Sequence, residues 1–110
     1  MDKELVMYSR SYGCAYVTLA KAVLDKEGIP FHEIFIDKDR EALGRVVEWT
    51  GFRAVPTLVA ANAGEVLPYE PPESLPRGHS PRGVNRGSMI TEPDKIQFRQ
   101  WLQNNGFLGD

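Results

Sequence analysis

Cysteine is nearly absent: of 110 residues only Cys14 carries a thiol. A lone thiol closes no internal disulfide and offers no paired ligands to a zinc ion, so packing alone must hold the fold. Histidine is almost as scarce. His32 and His79 are the only two, and His32 falls in a strand pattern far along the chain from Cys14, where a structural or solvent-facing role is expected. Neither charge dominates, with 13 basic against 15 acidic residues and a net charge of −2. At a sequence pI near 5.7, no global field draws the chain to nucleic acid or to an acidic membrane. Long apolar runs are missing too, since nothing approaches the roughly 18 residues of a spanning helix. The start, Met1-Asp2-Lys3-Glu4, lacks the basic and apolar regions of a secretory leader. These absences predict a soluble, unexported, cytoplasmic protein with no membrane partner.

What is present suffices for one ordinary domain over residues 1–110. A chain of this length buries roughly 65% of its unfolded surface, and 42% apolar residues are enough to build that core. Leu5 to Tyr8 is continuously apolar, as in a strand covered on both faces. After the polar turn from Ser9 to Gly13, the residues Tyr16, Leu19, Ala20, Val23 and Leu24 recur at helical spacing, with Gly28 and Pro30 as stop signals. Phe31 to Asp37 is rich in strand formers. With Asp37 or Asp39 as cap, Leu43, Val46, Val47 and Thr50 trace a second helical stripe ending at Gly51. Strand, helix, strand and short connections predict a parallel pair. Thr57 to Ala61 and Glu65 to Leu67 flank Asn62-Ala63-Gly64, which predicts a tight hairpin and an antiparallel partner.

Residues 68–90 break this pattern. Five of the eight prolines (Pro68, Pro71, Pro72, Pro76 and Pro81) and three glycines crowd the stretch from Pro68 to Ser88, which predicts a loop insertion, either functional or flexible. A last helix follows: Thr91 with Asp94 resembles a capping box, Pro93 suits a first turn, and Ile96, Trp101 and Leu102 supply an apolar face before Asn105-Gly106.

Two local features carry chemistry. Cys14 falls between a buried strand and an amphipathic helix, where free amide donors and the helix dipole favour a thiolate, with Arg10 four residues upstream as an added positive charge. The plain alternative is a small buried hydrophobe. Pro56 stands at the threshold of a strand, a place proline tolerates only at a start or an edge. Without an amide donor, and with the cis form open to it, Pro56 would turn the Val55 backbone outward, leaving backbone groups free to pair with an extended peptide; the plain alternative is a simple strand-start proline.

Taken together these residues resemble the glutaredoxins, small members of the thioredoxin-like fold. Tyr8-Ser9 is similar to the Tyr-Thr/Ser that closes the family's first strand. Cys14-Ala15-Tyr16-Val17 stands where the family has Cys-Pro-Tyr-Cys, and Ala20-Lys21 follows at the spacing of its first helix. Thr50-Gly51, Arg53, Val55 and Pro56 are similar to its Thr-Gly-x-Arg-x-Val-Pro. The resemblance covers roughly the first two-thirds of the chain. It implies an α/β thioredoxin-like fold: a mixed four-stranded sheet flanked by about three helices, here with a long Pro/Gly/Arg-rich loop before the last one.

By the same resemblance Cys14 is the nucleophile, the bond before Pro56 is cis, and the Val55 backbone pairs with the cysteinyl part of glutathione. Arg10 and Arg53 meet glutathione carboxylates, and Tyr12 and Tyr16 flank the cysteine. Tyr16 is also expected in the helix's buried stripe. Thr91 and Asp94 stand where the family binds the γ-glutamyl end, although its Gly-Gly is missing. Val17 replaces the resolving cysteine, which leaves single-cysteine chemistry. The Cys-Gly-Phe-Ser motif of the cluster-carrying branch is absent, so iron–sulfur carriage is the weaker implication.

The function implied is reduction of glutathione mixed disulfides through one cysteine. Glutathione or another small thiol is the co-substrate, disulfide-bearing proteins are the partners, and no cofactor is tightly bound. A rival is a thioredoxin-like binding module that has lost catalysis. Another is nucleic-acid binding through Arg77-Gly78, Arg82-Gly83 and Arg86-Gly87, but three charges without interleaved aromatics make a weak footprint.

Overall fold

A computed structural model describes residues 2–109. The first strand, β1 (Lys3–Ser9), is followed by α1 (Ala15–Glu27), β2 (His32–Phe35), α2 (Arg40–Thr50), β3 (Thr57–Asn62), β4 (Met89–Thr91) and α3 (Lys95–Asn104). The strands form one sheet in the order β2-β1-β3-β4. The β1–β2 pair is parallel, with Val6 opposite His32; β3 runs antiparallel to β1 and to β4. The architecture is the expected thioredoxin-like one, with four strands in a mixed sheet and three helices.

The continuous apolar run of β1 has a direct cause. Leu5, Val6, Met7 and Tyr8 are all buried, and since successive strand residues point to opposite faces, both faces of the sheet are covered. Tyr8 meets Trp49 of α2 edge to face at 5.3 Å, which places α2 against the face toward which Tyr8 points. Helices α1 and α3 pack on each other, with an ion pair between Glu27 and Arg99. Phe98, Trp101 and Leu102 of α3 are fully buried.

Helix ends follow their caps. Asp39 accepts from the Ala42 amide, and Gly51, in the left-handed region at φ 82°, turns the chain from α2 toward β3. A side chain at that φ is strained, which accounts for glycine there.

Several expectations need correction. The hairpin turn forms, with the Glu65 amide donating to the Asn62 carbonyl at 2.9 Å, but Glu65–Leu67 is not the next strand. Pro68 has no amide to continue a ladder, so contact with β3 is reduced to the Ala61–Pro68 pair and one bond from the Tyr69 amide to Ala60. The edge is taken by β4, whose Thr91, Ile90 and Met89 pair with Thr57, Leu58 and Val59. In α1, Val17 rather than Tyr16 enters the core, and Tyr16 is half-buried. In α2 the stripe is Ala42, Val46 and Thr50, and Val47 faces solvent. The capping box of α3 is Asp94 with Gln97, not Thr91 with Asp94. Ile96, at 80% exposed, leaves the buried face of α3 to Phe98.

Candidate thiol site

Cys14 is the N-cap residue of α1, in extended conformation at φ −154° and ψ 125°. Its carbonyl accepts from the Thr18 amide at 3.0 Å and from the Thr18 hydroxyl at 3.1 Å. Its side chain caps nothing. The thiol instead points across to the turn before β3, where it donates to the Val55 carbonyl at 3.7 Å. The peptide bond between Val55 and Pro56 is cis. Two segments 41 residues apart thus meet at one sulfur, and Cys14 remains partly accessible.

Around this contact lies a cavity of about 390 Å³, whose lining includes Arg10, Cys14, Arg53, Val55, Arg82 and Glu92. Three guanidinium groups and one carboxylate therefore share the space around the thiol. Arg10 donates to the Gly13 carbonyl at 2.6 Å and lies over the Tyr12 ring at 4.5 Å, while its Nε is buried without a protein partner. Arg53 is exposed. A larger cavity, of about 470 Å³, lies at the start of β1 between Glu27, Phe31 and Phe107, and no thiol reaches it.

The residues nominated from the sequence are distributed unevenly. Arg10, Cys14, Arg53 and Val55 line the cavity. Pro56 lies directly behind Val55, its carbonyl accepting from the Glu92 amide at 2.8 Å. Tyr12 is 62% exposed, and Tyr16 lies beneath the Arg82 guanidinium at 5.1 Å. Thr91 and Asp94 do not line the cavity. Thr91 is buried, its hydroxyl 3.2 Å from that of Thr57, and Asp94 is occupied in capping α3. Between them Glu92 enters the cavity instead.

Sequence reasoning missed Phe52, Arg82 and Glu92, which all contribute to the lining. Phe52 had a signal, being a large aromatic next to the Gly51 turn. Arg82 gave none, because it is 68 positions from Cys14 inside a stretch of loop-like composition. Its Arg-Gly repeat is also split structurally: Arg77 is exposed, Arg82 turns to the cavity, and Arg86 is buried.

The family model for glutaredoxin matches residues 5–63, more than half of the 110 residues. The chain belongs to the glutaredoxin family. Glutaredoxins are thiol-disulfide oxidoreductases, and the matched span holds Cys14, Val55 and Pro56. Among solved structures, a buckwheat glutaredoxin–glutathione complex matches at 29% identity over 51% of this chain and 53% of that one, with a TM-score of 0.43. A glutaredoxin from Archaeoglobus fulgidus matches at 29% identity over 62% of this chain and 77% of that one, with a TM-score of 0.45. The chain thus spans about half the length of the buckwheat protein. No match is found among curated proteins. Among the described residues no group of three His, Cys, Asp or Glu side chains could hold a metal ion, and no helix is long and apolar enough to cross a membrane.

Proposed function

We propose that this glutaredoxin-family chain performs glutathione-linked thiol-disulfide exchange with Cys14 as the single nucleophile. The observation that carries the reading is the meeting of the Cys14 thiol with the Val55 carbonyl, 3.7 Å apart, inside a cavity that also holds Arg10 and Arg53. With Val17 buried where a second thiol would stand, all sulfur chemistry falls to one atom.

The cycle needs only that atom. As thiolate, Cys14 attacks the glutathione sulfur of a mixed disulfide, forming a Cys14–glutathione disulfide and releasing the target's sulfur as a thiolate that takes up a proton. A second glutathione thiolate then attacks the glutathione sulfur on Cys14, which restores the Cys14 thiolate and yields glutathione disulfide. Backbone groups of Val55 fit the cysteinyl part of the ligand, and Arg10 and Arg53 supply charge-assisted contacts to its carboxylates. Thr91 and Asp94, which pin the chain on either side of Glu92, contribute through position. A reducing, glutathione-containing compartment such as the cytoplasm is the setting this chemistry requires.

Intact-mass measurement after incubation with glutathione disulfide tests the reading. The expected result is one glutathione adduct, absent in Cys14→Ser and removed by added reduced glutathione. A chain that forms no adduct under conditions that modify an ordinary exposed thiol would instead be a binding module that works through the Val55 edge.

A further inference from the structure

The connection from β1 to α1, residues 10–13, delivers two groups to the thiol cavity: the Arg10 side chain, which lines it, and the main chain entering Cys14. Packing does not fix its path. Ser11, Tyr12 and Gly13 are all exposed, and a segment without buried apolar contacts opens easily. Nor do the contacts of Arg10 anchor it. The guanidinium donates to the Gly13 carbonyl at 2.6 Å and lies over the Tyr12 ring at 4.5 Å, and both partners belong to the same connection.

Anchorage comes from one carboxylate. The Ser11 amide donates to Asp37 Oδ1 at 3.0 Å, and the Ser11 hydroxyl donates to Asp37 Oδ2. Among the described residues no other hydrogen bond ties residues 10–13 to another part of the chain. Asp37 is itself held on both sides. Ile36 is buried and its amide donates to the Ser9 carbonyl at 2.8 Å, while the Lys38 amide donates to the Phe35 carbonyl at 3.0 Å. Asp39, not Asp37, caps α2, which leaves the Asp37 carboxylate to Ser11. The bonds from Ser11 hold that carboxyl below the usual aspartate range, so at neutral pH it is ionised and accepts both.

Resting on the thiol-exchange reading above, we propose that Asp37 is a positioning residue for the exchange: through Ser11 it fixes the connection 10–13 and so holds the Arg10 guanidinium ready in the Cys14 cavity. Asp37 is not part of the cavity lining, and its effect reaches a ligand only through Arg10. A long side chain that is already ordered meets a carboxylate without losing further conformational freedom on binding. Released from Asp37, the connection would still carry the thiol, but Arg10 would have to be ordered by each ligand in turn. The loss therefore falls on disulfides that carry carboxylates and spares neutral ones.

The test reads Cys14 adduct formation by intact mass on the full chain, with glutathione disulfide, which carries carboxylates, and with neutral hydroxyethyl disulfide. In both, the Cys14 thiolate bonds to one sulfur, the original S–S bond breaks, and the departing thiolate takes up a proton. Dividing the glutathione disulfide rate by the hydroxyethyl disulfide rate of the same variant removes any change in the thiol itself. Asp37→Ala should lower this ratio about three- to tenfold, as one weakened charge-assisted contact would. Arg10→Ala should lower it by a similar factor, and the double variant should fall no further than Arg10→Ala alone. Ser11→Ala, which keeps the amide bond, and Asp37→Asn, which keeps an acceptor, should each retain part of the ratio. If Asp37→Ala does not fold, these two variants carry the same cycle with Arg10→Ala. A ratio unchanged by loss of Asp37 or Ser11 contacts, or losses that multiply in the double variant, would overturn the positioning role and leave thiol exchange standing. A parent chain that reacts with neither disulfide would overturn both readings.

Discussion

Arg86 has only 7% of its surface exposed, and its guanidinium donates to two backbone carbonyls, Glu73 at 2.6 Å and Trp49 at 2.7 Å. Burial lowers its pKa from the ordinary guanidinium range. One side chain thereby ties the segment around Glu73 to the end of α2 through charge-assisted bonds. Replacing it with methionine retains an apolar stem but leaves both carbonyls short of a donor. Arg86→Met should cost roughly 2–4 kcal/mol of stability, read as a lower urea midpoint with an unchanged slope. Arg86→Lys should recover only part of the loss, because an ammonium lacks the planar fork that reaches two separate segments. A methionine variant as stable as the parent would remove Arg86 as the staple. Arg82, four positions earlier, has the same residue type and the same following glycine, yet it faces the thiol cavity. The surroundings of each arginine, not the dipeptide, assign its role.

Between elements, the clearest electrostatic link joins α1 to α3. Glu27, in the last turn of α1, bonds to Arg99 in the middle of α3. That hydrogen bond is the main cause of the downward shift of the Glu27 carboxyl from the usual glutamate range. Ser11 does the same for Asp37, linking the turn before Cys14 to the chain after β2. A carboxyl lowered on folding contributes stability that is complete above its unfolded pKa and is lost as pH falls through its folded value. Arg99→Gln should therefore melt below the parent at pH 7, with the gap closing as pH falls from about 5 to about 3. Paired thermal scans across that range would show it. A gap independent of pH would mean that Arg99 acts through packing of its stem instead.

At the scale of the whole molecule, the segment 68–90 is docked on the fold through its backbone. The Ala60 amide donates to the Ser88 carbonyl at 2.9 Å, the Glu73 amide to the Arg86 carbonyl at 3.0 Å, and the Ser88 hydroxyl to the Glu70 carbonyl at 2.8 Å. Protection should vary accordingly within it. Arg77 is exposed, Arg82 is bonded at its following residue, and Arg86 is buried. Limited trypsin digestion of the native chain should cut after Arg77 well before it cuts after Arg82 or Arg86, since cleavage requires local opening. Simultaneous cutting at all three, followed by mass spectrometry, would contradict the docking.

The sequence by itself determined the order of strands and helices through β3, because buried-strand and helical periodicities there are local properties. It also marked Cys14 and the Val55-Pro56 turn, whose residue types and spacing lie in short segments. Tyr16 and Val17 show the limit of that reading: both are apolar neighbours on one helix, and only packing against the sheet decides which is buried. The same holds for the fourth strand. Met89–Thr91 is too short for a periodic signal, and it becomes a strand because the open edge of β3 at Thr57–Val59 gives its backbone groups partners. Arg82 and Glu92 reached the thiol cavity by the same route. Their place depends on hydrogen bonds between segments far apart in the chain, and a contact of that kind exists only once the tertiary structure has formed.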